Sequence, residues 1–165
     1  MLTVRQFDTN RAPVLPLERL SWQIAEWRRE GLRVANCHGR FDPLHVGHLF
    51  HFEEAKSLAD RLVVTVTPDR FSRSGPERPI VPEELRAAMI SGLRCVDAVA
   101  INIWPHALEL LEMLRPDLFV KGVDYADNPD PAFEAEVRKA AELGIVVHTT
   151  RTEKHSSTEL FDAVR

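Results

Sequence analysis

The stretch His38-Gly39-Arg40-Phe41-Asp42-Pro43-Leu44-His45-Val46-Gly47-His48 decides the fold. An apolar run at 33–37 leads into it and helix-forming residues at 47–59 lead out, so it reads as a tight turn between a strand and a helix. Gly39 lets the backbone turn sharply, and Gly47 removes a side chain where a ligand can approach. The first N–H groups of the helix lack intrahelical acceptors and sit at the positive end of its dipole, which suits a phosphate. His45 and His48 flank the same helix start at a spacing of three residues. There each can donate a hydrogen bond to a phosphoryl oxygen gaining negative charge in a transition state, and neither needs to act as a base.

Outward from this turn, valine- and isoleucine-rich runs at 33–37, 61–67, 97–103, 117–121 and 145–149 alternate with helical patterns at 47–59, 82–93, 105–114 and 131–143. Several of those helices open with proline in the first turn. Near-continuous apolar strands separated by helices predict a parallel sheet covered on both faces, with right-handed crossovers. The expected architecture is a three-layer α/β/α sandwich with a Rossmann-like parallel sheet of about five strands, its ligand beyond the carboxyl ends of the strands. Ahead of it, residues 17–29 place Leu20, Ile24 and Trp27 on one helical face, and residues 1–16 read as an arm. The organisation is thus an N-terminal arm and helix at 1–32 packed on a main domain at 33–165. The stretch 68–79, with its arginines and Gly75, is the longest irregular one, and such loops tend to carry function.

The chain has 165 residues, of which 44% are apolar and 28% charged, the composition of a folded single domain. Its apolar runs, such as 97–104, fall far short of the ~20 residues that a bilayer span needs, and no signal-peptide block opens the chain, so a cytoplasmic protein with no membrane partner is expected. Lys and Arg number 21 against 25 Asp and Glu, a net charge of −4, so there is no basic field to gather nucleic acid. Cys37 and Cys95 form no CxxC or zinc pattern and give no grounds for a disulfide. Cys37 beside His38 is not a nucleophile and base, because adjacent strand residues point to opposite faces.

His38, His45, His48 and His51 lie within fourteen residues, which raises a transition-metal site as a rival reading. Against it, His45, His48 and His51 cannot all face one point on a regular helix, and no Cys or carboxylate lies at matching spacing.

Gly39-Arg40-Phe41-Asp42-Pro43-Leu44-His45-Val46-Gly47-His48 resembles the G-x-F-D-x-x-H-x-G-H signature of the cytidylyltransferase-like nucleotidyltransferases. Further similarities follow in order. Arg78-Pro79-Ile80, Glu84-Leu85-Arg86, Val96-Asp97 and Val120-Lys121-Gly122-Val123-Asp124-Tyr125 are similar to the sugar-phosphate adenylyltransferase branch, of which the heptose-phosphate enzymes are the nearest in pattern. Arg151-Thr152-Glu153 with Ser156-Ser157-Thr158 resembles the R-T-E-G-I-S-T-T motif of the glycerol-3-phosphate cytidylyltransferases. The resemblance runs over about residues 33–163. Within it Arg40 stands where many members carry a small or uncharged residue, Lys154-His155 replaces Gly-Ile, and Arg73 lies near a lysine position.

The resemblance implies an enzyme in which a phosphate oxygen of an acceptor attacks the α-phosphorus of a nucleoside triphosphate and pyrophosphate leaves with the help of Mg²⁺. His45, His48 and Lys121 are then the catalytic group. Gly39, Arg40, Phe41, Asp42, Gly47, Lys121, Asp124, Arg151, Ser156, Ser157 and Thr158 would bind nucleotide, the serines and threonine at the start of a last helix. Arg70, Arg73, Arg78 and Arg86 would hold the acceptor phosphate, Arg86 with a nucleotide or a neighbouring subunit as its other options, and Asp124 the metal. ATP is favoured over CTP and a sugar phosphate over other small phosphates; a homodimer, and fusion to or cooperation with a sugar kinase, complete the expected partners. A nucleotide-binding regulatory module with little turnover and a CTP:glycerol-3-phosphate-type cytidylyltransferase are the alternatives.

Overall fold

The computed structural model describes residues 10–72, 78–123 and 131–151. In chain order the elements are α1 (Leu17–Arg29), β1 (Val34–Gly39), α2 (Val46–Ser57), β2 (Arg61–Val66), α3 (Glu83–Ser91), β3 (Ala98–Ile101), α4 (Leu108–Leu114), β4 (Leu118–Lys121), α5 (Pro131–Glu142) and β5 (Val146–Thr149). All strand pairs are parallel, and the order across the five-stranded sheet is β3-β2-β1-β4-β5. The α/β fold expected from the alternation is therefore the one observed.

Strand residues send alternate side chains to opposite faces. Ala35, Cys37, Leu62, Val64, Val66, Leu118 and Val120 form one core with Phe52 and Ala55 of α2 and Ala87 and Ile90 of α3. Val34, Val63, Ala98, Ala100 and Phe119 form the other with α1, α4 and α5. The chain thus winds from β1 outward in one direction with helices on one face, then returns to β4 with helices on the other. β1 and β4 are adjacent, which makes their carboxyl ends the topological switch point where ligands of such sheets bind.

Two boundaries differ from expectation. The strand at 97–103 ends at Ile101 and the helix at 105–114 begins at Leu108, because the Asn102 side chain organises what lies between. Its Oδ1 accepts from the N–H groups of Ile103 (2.9 Å) and Trp104 (3.3 Å), and its Nδ2 donates to the carbonyls of Trp104 and His106. Such a local side-chain bond competes with helix. The described part of the arm runs beside β3, with Leu15 N–H donating to Val99 O and Val99 N–H to Pro13 O. No helix among the described residues is long and apolar enough to cross a membrane.

Candidate active site

Phe41, not Gly39, takes the left-handed backbone of the signature turn, with φ 53°. Gly39 answers a different need: a Cβ there would stand 2.9 Å from the Phe41 ring, which folds back over it. That ring packs edge-on against His48 and Phe52, with centroids 5.2 Å and 5.0 Å away, and so fixes the entry to α2. Asp42, expected at the nucleotide, instead accepts from the N–H groups of Ile80 and Val81 (2.8 Å each) and pairs with Arg78, stapling the 78–81 segment to the turn. Burial pushes its carboxyl up, but these donors outweigh burial and leave it below the usual carboxylate range.

Arg86 corrects the expectation of a phosphate or subunit contact. Its side chain is fully buried and donates to the carbonyls of Arg40, Thr67 (3.0 Å) and Val81 (2.8 Å) and to Asp69. It braces the turn from within, out of a ligand's reach.

His45 is the N-cap of α2. Its Nδ1 accepts from Gly47 N–H (3.1 Å), while the His45 N–H donates to His48 Nδ1 (3.3 Å). A backbone N–H can only donate, so each Nδ1 must carry a lone pair, and the proton of each neutral ring sits on Nε2. The rings lie together, centroids 3.8 Å apart and tilted by 30°. The fold thus presents two Nε2–H donors from one side of a helix N-terminus, an arrangement that can stabilise charge on a phosphoryl group. His51, one turn further, is apart from them: its Nδ1 meets Thr150 Oγ1 at 3.0 Å, and burial pulls its pKa down to about 4. Among the described residues no group of three His, Cys, Asp or Glu could hold a metal ion.

On the other face of the sheet edge lies a cavity of about 240 Å³, lined among others by His38, Arg40, Thr67, His106, Lys121 and Phe133, with Glu136. Lys121 ends β4, and its Nζ donates to Glu136 Oε2 (2.9 Å) while facing the Phe119 and Phe133 rings at 5.2 Å and 5.8 Å. Glu136 Oε1 accepts from Ala107 N–H (3.0 Å). His38 Nδ1 lies 3.1 Å from the Thr65 carbonyl, which can only accept, so Nδ1 holds the proton and Nε2 faces Thr67 Oγ1 at 3.4 Å as an acceptor. Burial, helped by the Lys121 charge, pulls the His38 pKa down to about 3 and keeps the ring neutral. Its neighbour Cys37 points into the opposite core, where burial pushes the thiol up.

Sequence reasoning missed Glu136. The signal was there: it follows Phe133 and precedes Ala140 on the inward stripe of α5, a carboxylate where an apolar residue is the rule. Of the other expected residues, Arg70 lies on the surface and donates to Ile103 O, and Arg78 belongs to the Asp42 staple. Arg151 follows β5, its N–H held by both Glu54 carboxylate oxygens (3.2 and 3.1 Å), which ties this segment to α2. Arg73, Asp124, Ser156, Ser157 and Thr158 lie outside the described residues.

A doubly wound parallel sheet whose central turn carries an anion-suited helix start is the class of fold that binds nucleotides. The family model for cytidylyltransferase-like proteins matches residues 37–162, and the chain belongs to that family. The bifunctional protein HldE of Koribacter versatilis is 42% identical over 127 residues, 76% of this chain and 26% of that protein. HldE of Gluconacetobacter diazotrophicus is 38% identical over 145 residues, 87% of this chain and 29% of that one. The chain therefore spans little more than a quarter of the length of these relatives. Among solved structures, the lipopolysaccharide core biosynthesis protein of Thermoplasma volcanium is 33% identical with a TM-score of 0.62, covering 76% of this chain and 100% of that one.

Proposed function

We propose that this chain is a nucleotidyltransferase that moves a nucleoside monophosphate, AMP in preference to CMP, from a triphosphate to a sugar phosphate, releasing pyrophosphate. The observation that carries this reading is the pair of Nε2–H donors that His45 and His48 hold at the N-terminus of α2. An acceptor phosphate oxygen attacks the α-phosphorus, the bond to the bridging oxygen of the β-phosphate breaks, and that oxygen leaves with pyrophosphate. No covalent intermediate forms on the protein. The work of the chain is positioning and charge stabilisation, which rigid donors supply without reorganisation. His45 and His48 serve the α- and leaving phosphates, with Gly47 and the helix start beneath them. Arg151 is tied to α2 through Glu54, and Ser156, Ser157 and Thr158, which follow it in the chain, are assigned to the other phosphates.

Mg²⁺ bound to a triphosphate neutralises its charge and polarises the reacting phosphate. Such an ion needs one or two carboxylates besides the phosphates. Asp42 is committed to its staple, so Asp124 is the candidate ligand. The HldE relatives are named as bifunctional and are far longer than this chain, which favours a second activity, a sugar kinase, acting with it. A homodimer and a cytoplasmic site belong to the same proposal. A pyrophosphate-release screen of the four ribonucleoside triphosphates against sugar 1-phosphates and glycerol 3-phosphate tests the reading. The greatest release is expected with ATP and a sugar 1-phosphate, and no release with any pair refutes it.

A further inference from the structure

The amino ends of the strands carry a feature that phosphoryl transfer at the histidine pair does not use. A cavity of about 370 Å³ opens at the starts of β1, β4 and β5, at the opposite end of the sheet from the signature turn. Three segments contribute an arginine to its lining: Arg28 from the last turn of α1, Arg33 from just ahead of β1, and Arg115 from the end of α4. Asp117 is the one carboxylate among the described lining residues, and both of its oxygens are committed, Oδ1 to Arg28 Nε (3.2 Å) and Oδ2 to Val34 N–H (2.8 Å). Asp60 accepts from the Arg33 N–H but does not line the cavity. Arg28 Nη1 donates to Arg115 O (3.1 Å) and Arg115 Nε to Glu112 O (3.2 Å), while the Arg33 guanidinium has no partner among the described residues. Three guanidiniums against one carboxylate leave the lining an excess of two positive charges, on a chain whose net charge is −4.

Helix dipoles account for part of this, because a cation is favoured at the carboxyl end of a helix and Arg28 and Arg115 stand at two such ends. They do not account for Arg33, nor for the residue type at 115. The Arg115 backbone is left-handed, with φ 48°, a conformation in which glycine ends a helix without strain and arginine does not. A strained backbone that brings a cation to a cavity wall suits an anionic ligand. Leu143 and Ile145 add apolar surface beside the guanidiniums, and Gly144 between them leaves the wall open. Planar guanidinium forks match the oxygens of a phosphate, and a phosphate monoester carries about −1.5 to −2 near pH 7, which balances the excess.

We propose that this cavity is a second anion site, which binds the dianion of a small phosphate monoester through Arg33, Arg115 and Arg28 with the organic part against Leu143 and Ile145. Asp117 is a positioning residue that fixes Arg28. The site stands independently of the transferase reading. β1 and β4 begin at this cavity and end at the signature turn and Lys121, so the two ends of the sheet share both strands.

Amide NMR spectra of the isotopically labelled 165-residue chain test this, with phenyl phosphate, inorganic phosphate, sulfate and hexaglutamate as probes. Phenyl phosphate is expected to shift the amides of Arg33, Gly144 and Val146 with a Kd of about 0.1–1 mM, roughly tenfold tighter than sulfate. Arg33→Gln combined with Arg115→Gly removes two guanidiniums together with the strain at 115. It should weaken this binding by about tenfold or more, while any response of Gly47 and His48 at the catalytic helix start is unaltered. If the double variant fails to fold by circular dichroism, Arg33→Gln alone carries the test, with an expected loss of about threefold or more. The proposal is overturned if the wild type shows no shifts at Gly144 and Val146, if the folded variant keeps its affinity, or if Gly47 and His48 lose their response in step with them. Equal binding of phenyl phosphate, inorganic phosphate and sulfate would show an adventitious ion only. Hexaglutamate moving the same amides at lower concentration than phenyl phosphate would assign the surface to an acidic polypeptide. Either of these results overturns the proposal as well.

Discussion

On one side of the 39–45 turn, His45 and His48 stand three residues apart at a single helix start; on the other, His38, Thr67, His106, Lys121 and Glu136 converge from separate segments of the chain. The first group is held by its own backbone, since each imidazole is locked by an N–H within three residues of it. The second is held by tertiary packing, with Lys121 and Glu136 fifteen residues apart and His38 and Thr67 twenty-nine. The histidine-pair side can therefore form wherever a strand, this turn and a helix occur together. The cavity side exists only once the whole sheet is assembled, and small changes in distant segments can reshape it without touching the histidine pair.

The largest effect should come from Arg86, which braces Arg40 at the cavity mouth and Thr67 at its wall through one buried guanidinium. Arg86→Leu removes a donor from three carbonyls and from Asp69, of which the Thr67 carbonyl keeps the Ser72 hydroxyl, and a loss of about 3–5 kcal/mol in urea unfolding is expected. A loss below about 1 kcal/mol would show that the two sides do not depend on a common brace. His48→Ala breaks one side only. We expect kcat to fall by roughly 10²–10³ with the melting temperature nearly unchanged, as for loss of a single oxyanion donor. A fall in stability parallel to the fall in rate would assign His48 to packing instead.

Acid sharpens the comparison because each side holds one buried neutral histidine, His38 with a pKa of about 3 and His51 with one of about 4. Below the ordinary value of 6.5 the unfolded chain takes up protons that the folded chain refuses, so stability falls as pH falls. Each group contributes about 1.4 kcal/mol per pH unit below that value, until its folded pKa is reached. Urea midpoints between pH 6.5 and 4.5 should drop accordingly, and His51→Asn or His38→Asn should each flatten the slope by about one proton. An unchanged slope in both variants would remove these histidines as its source. The smallest effect concerns Cys37, fully buried on the core face opposite His38. Native protein should be alkylated at half-buried Cys95 first, with Cys37 modified only on unfolding; mass spectrometry of labelled peptides reads the order.

What can be read along the chain is what depends on near neighbours. The valine-rich runs and helical stripes carry the alternation of strands and helices, and the strand-turn-helix signature marks an anion-suited helix start through its residue types and spacing alone. Even the opposite faces of Cys37 and His38 follow from the period of a strand. Periodicity reports that a face is buried, but not which element covers it. The order β3-β2-β1-β4-β5, the burial of Arg86 against Asp69, the conversion of Asp42 into a staple and the meeting of His51 with Thr150 ninety-nine residues away are contacts across the fold. Glu136 shows the boundary most clearly. Its place on an inward stripe is visible in the sequence, yet only the packing of α5 over the end of β4 turns that carboxylate toward Lys121 and into a cavity, because burying a charge requires a partner that local sequence does not specify.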